Sequence, residues 1–152
     1  MDDLTIRVMQ LSGRGYCCSQ ILVLLALEAQ GRRNPELVRA ISGLCMGLGY
    51  GGGTCGVLSG AACLLALYAG KGSDEESADN RLPLMFAELT DWFADEVGGT
   101  YGGIRCADIL GDGERQPQPG RCGPILLDTY GQVLKILNAN GFDPALGRDE
   151  NQ

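Results

Sequence analysis

From Ala40 to Gly70 the chain carries no charged residue. A stretch so long and so apolar belongs in a bilayer or in a protein core. Its middle, "GLGYGGGTCG", decides between the two. The glycines would free backbone N–H and C=O groups that lipid cannot satisfy. The apolar piece that follows, "VLSGAACLLALYAG", is too short to cross a membrane. The run is therefore expected to form two buried elements joined by a glycine-rich junction, with no membrane contact.

Helical punctuation surrounds this stretch. Asp2 or Asp3 can cap a first helix through Leu4, Val8 and Leu11, stopped at Gly13. A second is expected from about Cys17 to Gln30; its "ILVLLAL" is apolar nearly all round, which marks it as central. Asn34 and Pro35 open a third, with Val38, Ile41, Leu44 and Cys45 on its apolar face. The fourth starts with Thr54 as cap and runs to about Tyr68. A fifth, about Arg81 to Val97, carries Leu82, Met85, Phe86, Leu89 and Phe93 at helical spacing and ends in "GGTYGG". A short turn, "IRCADIL", precedes the irregular loop "GDGERQPQPG". The last helix is expected to start at Pro124 and close at Gly141, with Leu126, Tyr130, Val133, Leu134 and Leu137 on one face. No segment alternates with period two between hairpin turns. The expected fold is all-α, five to six helices in one bundle-like domain over residues 1–145, with 146–152 a disordered tail.

Charge narrows the partners. Twelve basic against nineteen acidic residues give a net charge of −7, and no Lys/Arg cluster stands out. Nucleic acid and anionic lipid are therefore not expected as partners. The start, "MDDLTIRVMQ", lacks the basic and apolar regions of a secretion signal, so a cytoplasmic location is expected.

Seven cysteines and no histidine are the most informative counts. An odd number leaves at least one thiol outside any internal disulfide. Without histidine the chain cannot supply a Cys–His or Ser–His pair or a His-ligated metal. In a reducing compartment the cysteines point to catalysis or metal binding rather than to a disulfide frame.

The glycine-rich junction first invites a nucleotide reading, since "GLGYGG" matches G-x-G-x-x-G. That pattern works after a strand, and here a helix precedes it, so context argues against a dinucleotide site. Gly56, Gly60 and Cys63, flanked by Ser59, Ala62 and Ala66, form a small-residue stripe that lets another helix come close. Packing does not explain why cysteines stand at helix starts. Cys17 and Cys18 occupy the cap and first turn of the second helix, Cys55 opens the fourth, Cys106 lies in "IRCADIL", and Cys122 precedes Pro124. Unpaired N–H groups and the helix dipole favour an anion there, so a lowered thiol pKa is expected. Cys45 and Cys63 fall in apolar helix interiors and read as core residues. There is no C-x-x-C, and the spacings match no zinc-ribbon or ferredoxin signature. A vicinal Cys17–Cys18 disulfide would need a strained ring.

The chain resembles the C_GCAxxG_C_C family of redox-active proteins of bacteria and archaea. "GYCCSQ" is similar to that family's first cysteine segment, G-[FY]-N-C-[AS]-Q, and aligns Cys18 with the first hallmark cysteine. "GGGTCGVLSG" is similar to the central C-G-A-x-x-G element, with Cys55, Gly56 and Gly60 in place and Val57 where alanine is usual. Cys106 and Cys122 follow in order. Cys17 stands where asparagine is usual, which places a second thiol beside Cys18.

The resemblance implies a redox role for Cys18, Cys55, Cys106 and Cys122, with Cys17 as a further candidate, and specifies no redox partner. The chemistry is thiol–disulfide exchange, as in a thiol-dependent oxidoreductase, or electron transfer through a [2Fe–2S] centre held by four thiolates. In the exchange version Cys55 attacks and another cysteine resolves. A different class of reading is a metal-binding or metal-sensing module with a four-cysteine zinc site. A third is a helical interaction protein with incidental cysteines, in which Gly56-x-x-x-Gly60 makes a homodimer contact.

Overall fold

A computed structural model describes residues 1–111, 116 and 118–151. The all-α expectation holds: helices pack around one core, and the extended pairing among the described residues is a single bridge between Thr54 and Arg105. No helix among these residues is long and apolar enough to cross a membrane.

The first three helices form where their caps place them. Helix α1 spans Asp3–Gly13, and the Asp2 carboxylate accepts the Thr5 N–H at 2.8 Å. Helix α2 spans Cys18–Ala29 with Cys17 as its extended N-cap. Gln20 closes that cap: its side-chain oxygen accepts the Cys17 N–H at 3.1 Å, and its amide donates to Val38 C=O at 3.0 Å. Helix α3 spans Pro35–Ile41, capped by Asn34, whose side chain accepts the Leu37 N–H at 3.1 Å. It is shorter than its apolar pattern suggests. A 3₁₀ turn, Ser42–Leu44, follows, and Cys45 is already extended.

Helix α4, Gly56–Ala69, packs along α2 at the centre of the molecule. The small stripe makes this approach close. A Cβ on Gly60 would lie 2.7 Å from Ser19 Cα, and one on Gly56 would lie 2.8 Å from Cys18 Sγ. These glycines therefore serve an intrachain contact between α2 and α4. Thr54 is not the cap either; it pairs with Arg105, and Cys55 is the N-cap.

Helix α5, Leu82–Phe93, buries Leu82, Met85, Leu89 and Phe93. It runs past the first two glycines of "GGTYGG" and stops at the third. A π turn over Ala94–Gly98 and a last α turn over Gly99–Tyr101 carry it on, and the chain leaves through left-handed Gly102. The wider turn keeps Val97 on the buried face after Phe93. The segment expected as a turn is a short helix, α6, Cys106–Leu110. Helix α7 spans Pro119–Ala139 and starts five residues before Pro124, because Pro119 takes the first-turn position that tolerates proline. Pro124 lies inside α7. Of the loop "GDGERQPQPG", residues 112–115 and 117 lie outside the described residues, while Pro119 and Gly120 are helical. At the chain end, Arg148 donates to Gly70 C=O at 2.9 Å and to Ser77 C=O at 2.6 Å.

The glycine-rich junction has an unusual backbone. Met46, Gly47, Leu48, Gly49 and Tyr50 are five consecutive residues at positive φ, from 55° to 81°. For the three that bear side chains, the left-handed conformation costs about 1–2 kcal/mol each. Cross-bonds hold the turn: Gly49 N–H donates to Gly43 C=O at 2.8 Å, Tyr50 N–H to Cys45 C=O at 2.9 Å, and Gly53 N–H to Gly47 C=O at 2.8 Å. Leu48 and Tyr50 are 69% and 66% exposed, so neither is placed there by burial. Leu48→Gly and Tyr50→Gly are each expected to raise stability by about 0.5–1 kcal/mol, the relieved strain outweighing the added entropy of the unfolded chain. A urea midpoint that falls in both variants would contradict the left-handed turn.

Candidate functional site

Four of the cysteines come together from four helix starts. Cys18 is the first residue of α2, Cys55 the N-cap of α4, Cys106 the first residue of α6, and Cys122 lies in the first turn of α7, where its N–H donates to Gln118 C=O at 2.8 Å.

A short antiparallel ribbon couples two of them. Cys55 N–H donates to Ile104 C=O at 2.9 Å, and Cys106 N–H donates to Gly53 C=O at 2.7 Å, on either side of the Thr54–Arg105 bridge. Side chains alternate across such a ribbon, so Cys55 and Cys106 share the face opposite Thr54 and Arg105 as diagonal neighbours. Asp108 secures the Cys106 end, its carboxylate accepting the Arg105 N–H at 3.1 Å. Cys18 reaches the same place from α2, its sulfur against the backbone of Gly56. Cys122 packs with Met46, Cys106 and Leu110 in one apolar cluster. Arg121 fixes that approach by donating to Ile109 C=O at 2.7 Å.

The electrostatics follow from burial. Cys55 is 7% exposed, and burial pushes its thiol up to about 11, against the pull of the Val57 and Leu58 N–H groups at the start of α4. Burial likewise pushes Cys18 up to about 12, and charge on Cys55, Cys122 or Cys106 would raise it further. Cys55 in turn feels Cys106 and Cys122. These shifts correct the expected lowered pKa. The helix N-terminus acts in the predicted direction, but loss of water around the sulfur outweighs it. Both thiols are neutral at neutral pH.

Among the described residues no three Cys, Asp or Glu side chains stand close enough to hold a metal ion. As they stand, the described side chains form no ready-made cage for a [2Fe–2S] or zinc centre.

Two cysteines depart from their expected roles. Cys45 is buried, as a core residue would be, but it is joined to Cys17 in a disulfide with Cα atoms 6.0 Å apart. It leaves the helical path at the end of the 3₁₀ turn, and this brings its sulfur back to the α2 N-cap. Ser19 lies beside the bond: its hydroxyl donates to Ile41 C=O at 3.1 Å and lies 3.2 Å from Cys17 Sγ and 3.7 Å from Cys45 Sγ. The sequence offered one signal for Cys17 as a cap, the Gln three residues on, and none for its pairing across 28 positions. Cys63 is a half-buried free thiol beside Val23, Leu37 and Ile41, apart from the other four.

Comparisons with curated proteins and with solved structures give no match. The sequence model of one family, described as "Putative redox-active protein (C_GCAxxG_C_C)", matches residues 16–136. That span contains all seven cysteines, the ribbon and the starts of α2, α4, α6 and α7. The chain belongs to the C_GCAxxG_C_C family.

Proposed function

We propose that Cys18, Cys55, Cys106 and Cys122 form one thiol site that exchanges electron pairs with a disulfide partner. The observation that carries this reading is the convergence of four cysteines from four helix starts. Cys18 and Cys55 are the exchanging couple. The Cys18 sulfur lies against the backbone of Gly56, the residue next to Cys55, so the close approach of α2 and α4 brings the two together.

In the forward step the Cys55 thiol gives up its proton and attacks one sulfur of the partner's disulfide, and the partner's other sulfur leaves as a thiolate and takes a proton. Cys18 then loses its proton and attacks the Cys55 sulfur of the mixed disulfide, releasing the second partner thiol. Two electrons and two protons pass to the partner, and a Cys18–Cys55 disulfide remains. The high pKa of both thiols makes this a slow, guarded store of reducing equivalents in its closed form rather than a fast nucleophile. In the expected cytoplasmic location the site would rest as thiols.

The test is anaerobic purification followed by a visible spectrum, assays for iron, sulfide and zinc, and mapping of disulfides after mild oxidation with diamide. A colourless protein that gains a Cys18–Cys55 disulfide, and loses it in Cys55→Ser, is the expected result. A visible chromophore or bound zinc lost on replacing any one of the four cysteines would assign the site to a metal instead. Four thiols that resist diamide in the unfolded chain's absence, and bind nothing, would leave an interaction protein with incidental cysteines.

A further inference from the structure

The disulfide and the left-handed turn lie next to each other in the chain. Cys45 is tied to Cys17, and residues 46–50 begin directly after it. At the other end, Gly52 C=O and Gly53 C=O accept the N–H groups of Ala107 and Cys106 at 3.2 and 2.7 Å, and Cys55 follows. The turn is thus pinned at one end by a covalent bond and at the other by the ribbon that seats Cys55. A backbone with three side-chain-bearing residues at positive φ persists only where its surroundings hold it there. Met46 adds a further link, because its side chain packs on Cys106 and Leu110.

We propose that Cys17–Cys45 is a second, reducible couple, and that an external dithiol which opens it releases the 46–52 turn and exposes the buried Cys55 thiol and the half-buried Cys18 thiol beside it. The exposed part of the proposal rests on the thiol site described above only for its consequence; the latch itself does not require that site to be redox-active. Of the two sulfurs, Cys17 is the half-buried one and Cys45 is 1% exposed, so the incoming thiolate meets Cys17. It forms a mixed disulfide with Cys17 Sγ, the Cys17–Cys45 bond breaks, and Cys45 leaves as a thiolate that takes a proton. The second thiol of the reductant then gives up its proton and attacks its own mixed-disulfide sulfur. Cys17 departs as a thiol and the reductant closes into its disulfide. Two electrons and two protons enter the pair.

With the tether gone, Cys45 and Met46 are free to leave the positions that hold the turn left-handed. The relaxed turn draws Gly52 and Gly53 away from Cys106 and Ala107. Oxidised, the latch keeps Cys55 shut; reduced, it opens the same end of α4 to a partner. The device would couple access to the inner thiols to the state of the outer pair.

The test uses the full chain, N-ethylmaleimide as the thiol probe, and mass mapping of labelled residues. The untreated protein should yield a Cys17–Cys45 cross-linked peptide. Cys55 should label at least roughly tenfold faster after treatment with dithiothreitol, and equally so in the Cys17→Ser/Cys45→Ser variant, as expected for local opening. Amide exchange at Met85 and Leu89 in α5 provides the measure of global unfolding. The gain at Cys55 should exceed the gain there, and adding Leu48→Gly and Tyr50→Gly should reduce it, because the turn then has less strain to release. Failure to find the cross-link, no gain at Cys55, or a gain equal to that of the α5 amides would each overturn the latch. The diamide experiment stands apart from all of these outcomes, so failure of the thiol site and failure of the latch are read separately.

Discussion

Gly60→Leu should lose more than about 3 kcal/mol of stability, a large share of what a domain of this size has to lose. The first atom of any side chain at this position would lie 2.7 Å from Ser19 Cα and 3.1 Å from both Ser19 Cβ and Ser19 C=O. Two of those three are backbone atoms of a neighbouring helix, so no rotamer change relieves the contact. The helices α2 and α4 must separate, and they form the central layer on which α5 and α7 pack. A fall of roughly 6–12 °C in Tm follows from the usual relation for chains of this length. Gly131→Ala is the control. It lies in α7 with nothing within 4 Å of its would-be Cβ, and it should gain about 0.5–1 kcal/mol from helix propensity. Parity between the two variants in a urea titration would remove the close approach of α2 and α4 as an explanation for the glycine stripe. Gly60→Leu should also disturb the site, since Ser19 is flanked by Cys18 and touches the Cys17–Cys45 bond.

Raising the pH above about 9 should destabilise the protein steeply. A thiol of Cys18 or Cys55 ionises near 9 in the unfolded chain but is held protonated to about 12 and about 11 in the fold. Between those values the folded state binds more protons than the unfolded state, so stability falls as pH rises. Below about 9 both states are protonated and neither thiol contributes a slope. At about 1.4 kcal/mol per pH interval for each group, the two thiols together can remove on the order of 5 kcal/mol by pH 11. Tyr68 and Tyr130, raised by burial, act in the same direction at higher pH. Urea midpoints from pH 7 to 11 measure the slope, and Cys18→Ser/Cys55→Ser should flatten most of it. A slope unchanged in that double variant would place the alkaline sensitivity elsewhere. The same titration bears on mechanism: the reactivity of closed Cys55 should rise through pH 10 and beyond rather than level off near 9.

The two effects meet at one place in the fold. Gly56 and Gly60 bring α4 against α2, and that contact covers part of Cys18 and dries the surroundings of Cys55. Close packing and a high thiol pKa are therefore one design, and a substitution that opens the packing should lower the pKa.

Much of this was legible in the residues. The caps Asp2, Asn34 and Pro35, the helical spacing of Leu82 to Phe93, and the small stripe on α4 all act through neighbours within one or two turns. Local physics of that kind is written in the sequence, and so was the placing of four cysteines at helix starts. The N-cap of α4 was misplaced by one residue because Thr54 is recruited by Arg105, a partner 51 positions away. The start of α7 was misplaced because two prolines competed for one role, and Pro119 took it.

The sequence by itself determined the helical class, the absence of histidine chemistry, and which thiols stand at positive helix ends. Only the tertiary structure decided that Cys18 and Cys55 would be covered by other segments, and so raised rather than lowered in pKa. Desolvation depends on what other segments cover a sulfur, whereas the dipole of its own helix does not. The same distinction explains Cys45. Its apolar surroundings are local and readable, but its bond to Cys17 spans 28 positions and depends on the chain leaving the helical path after the 3₁₀ turn, where Cys45 is extended.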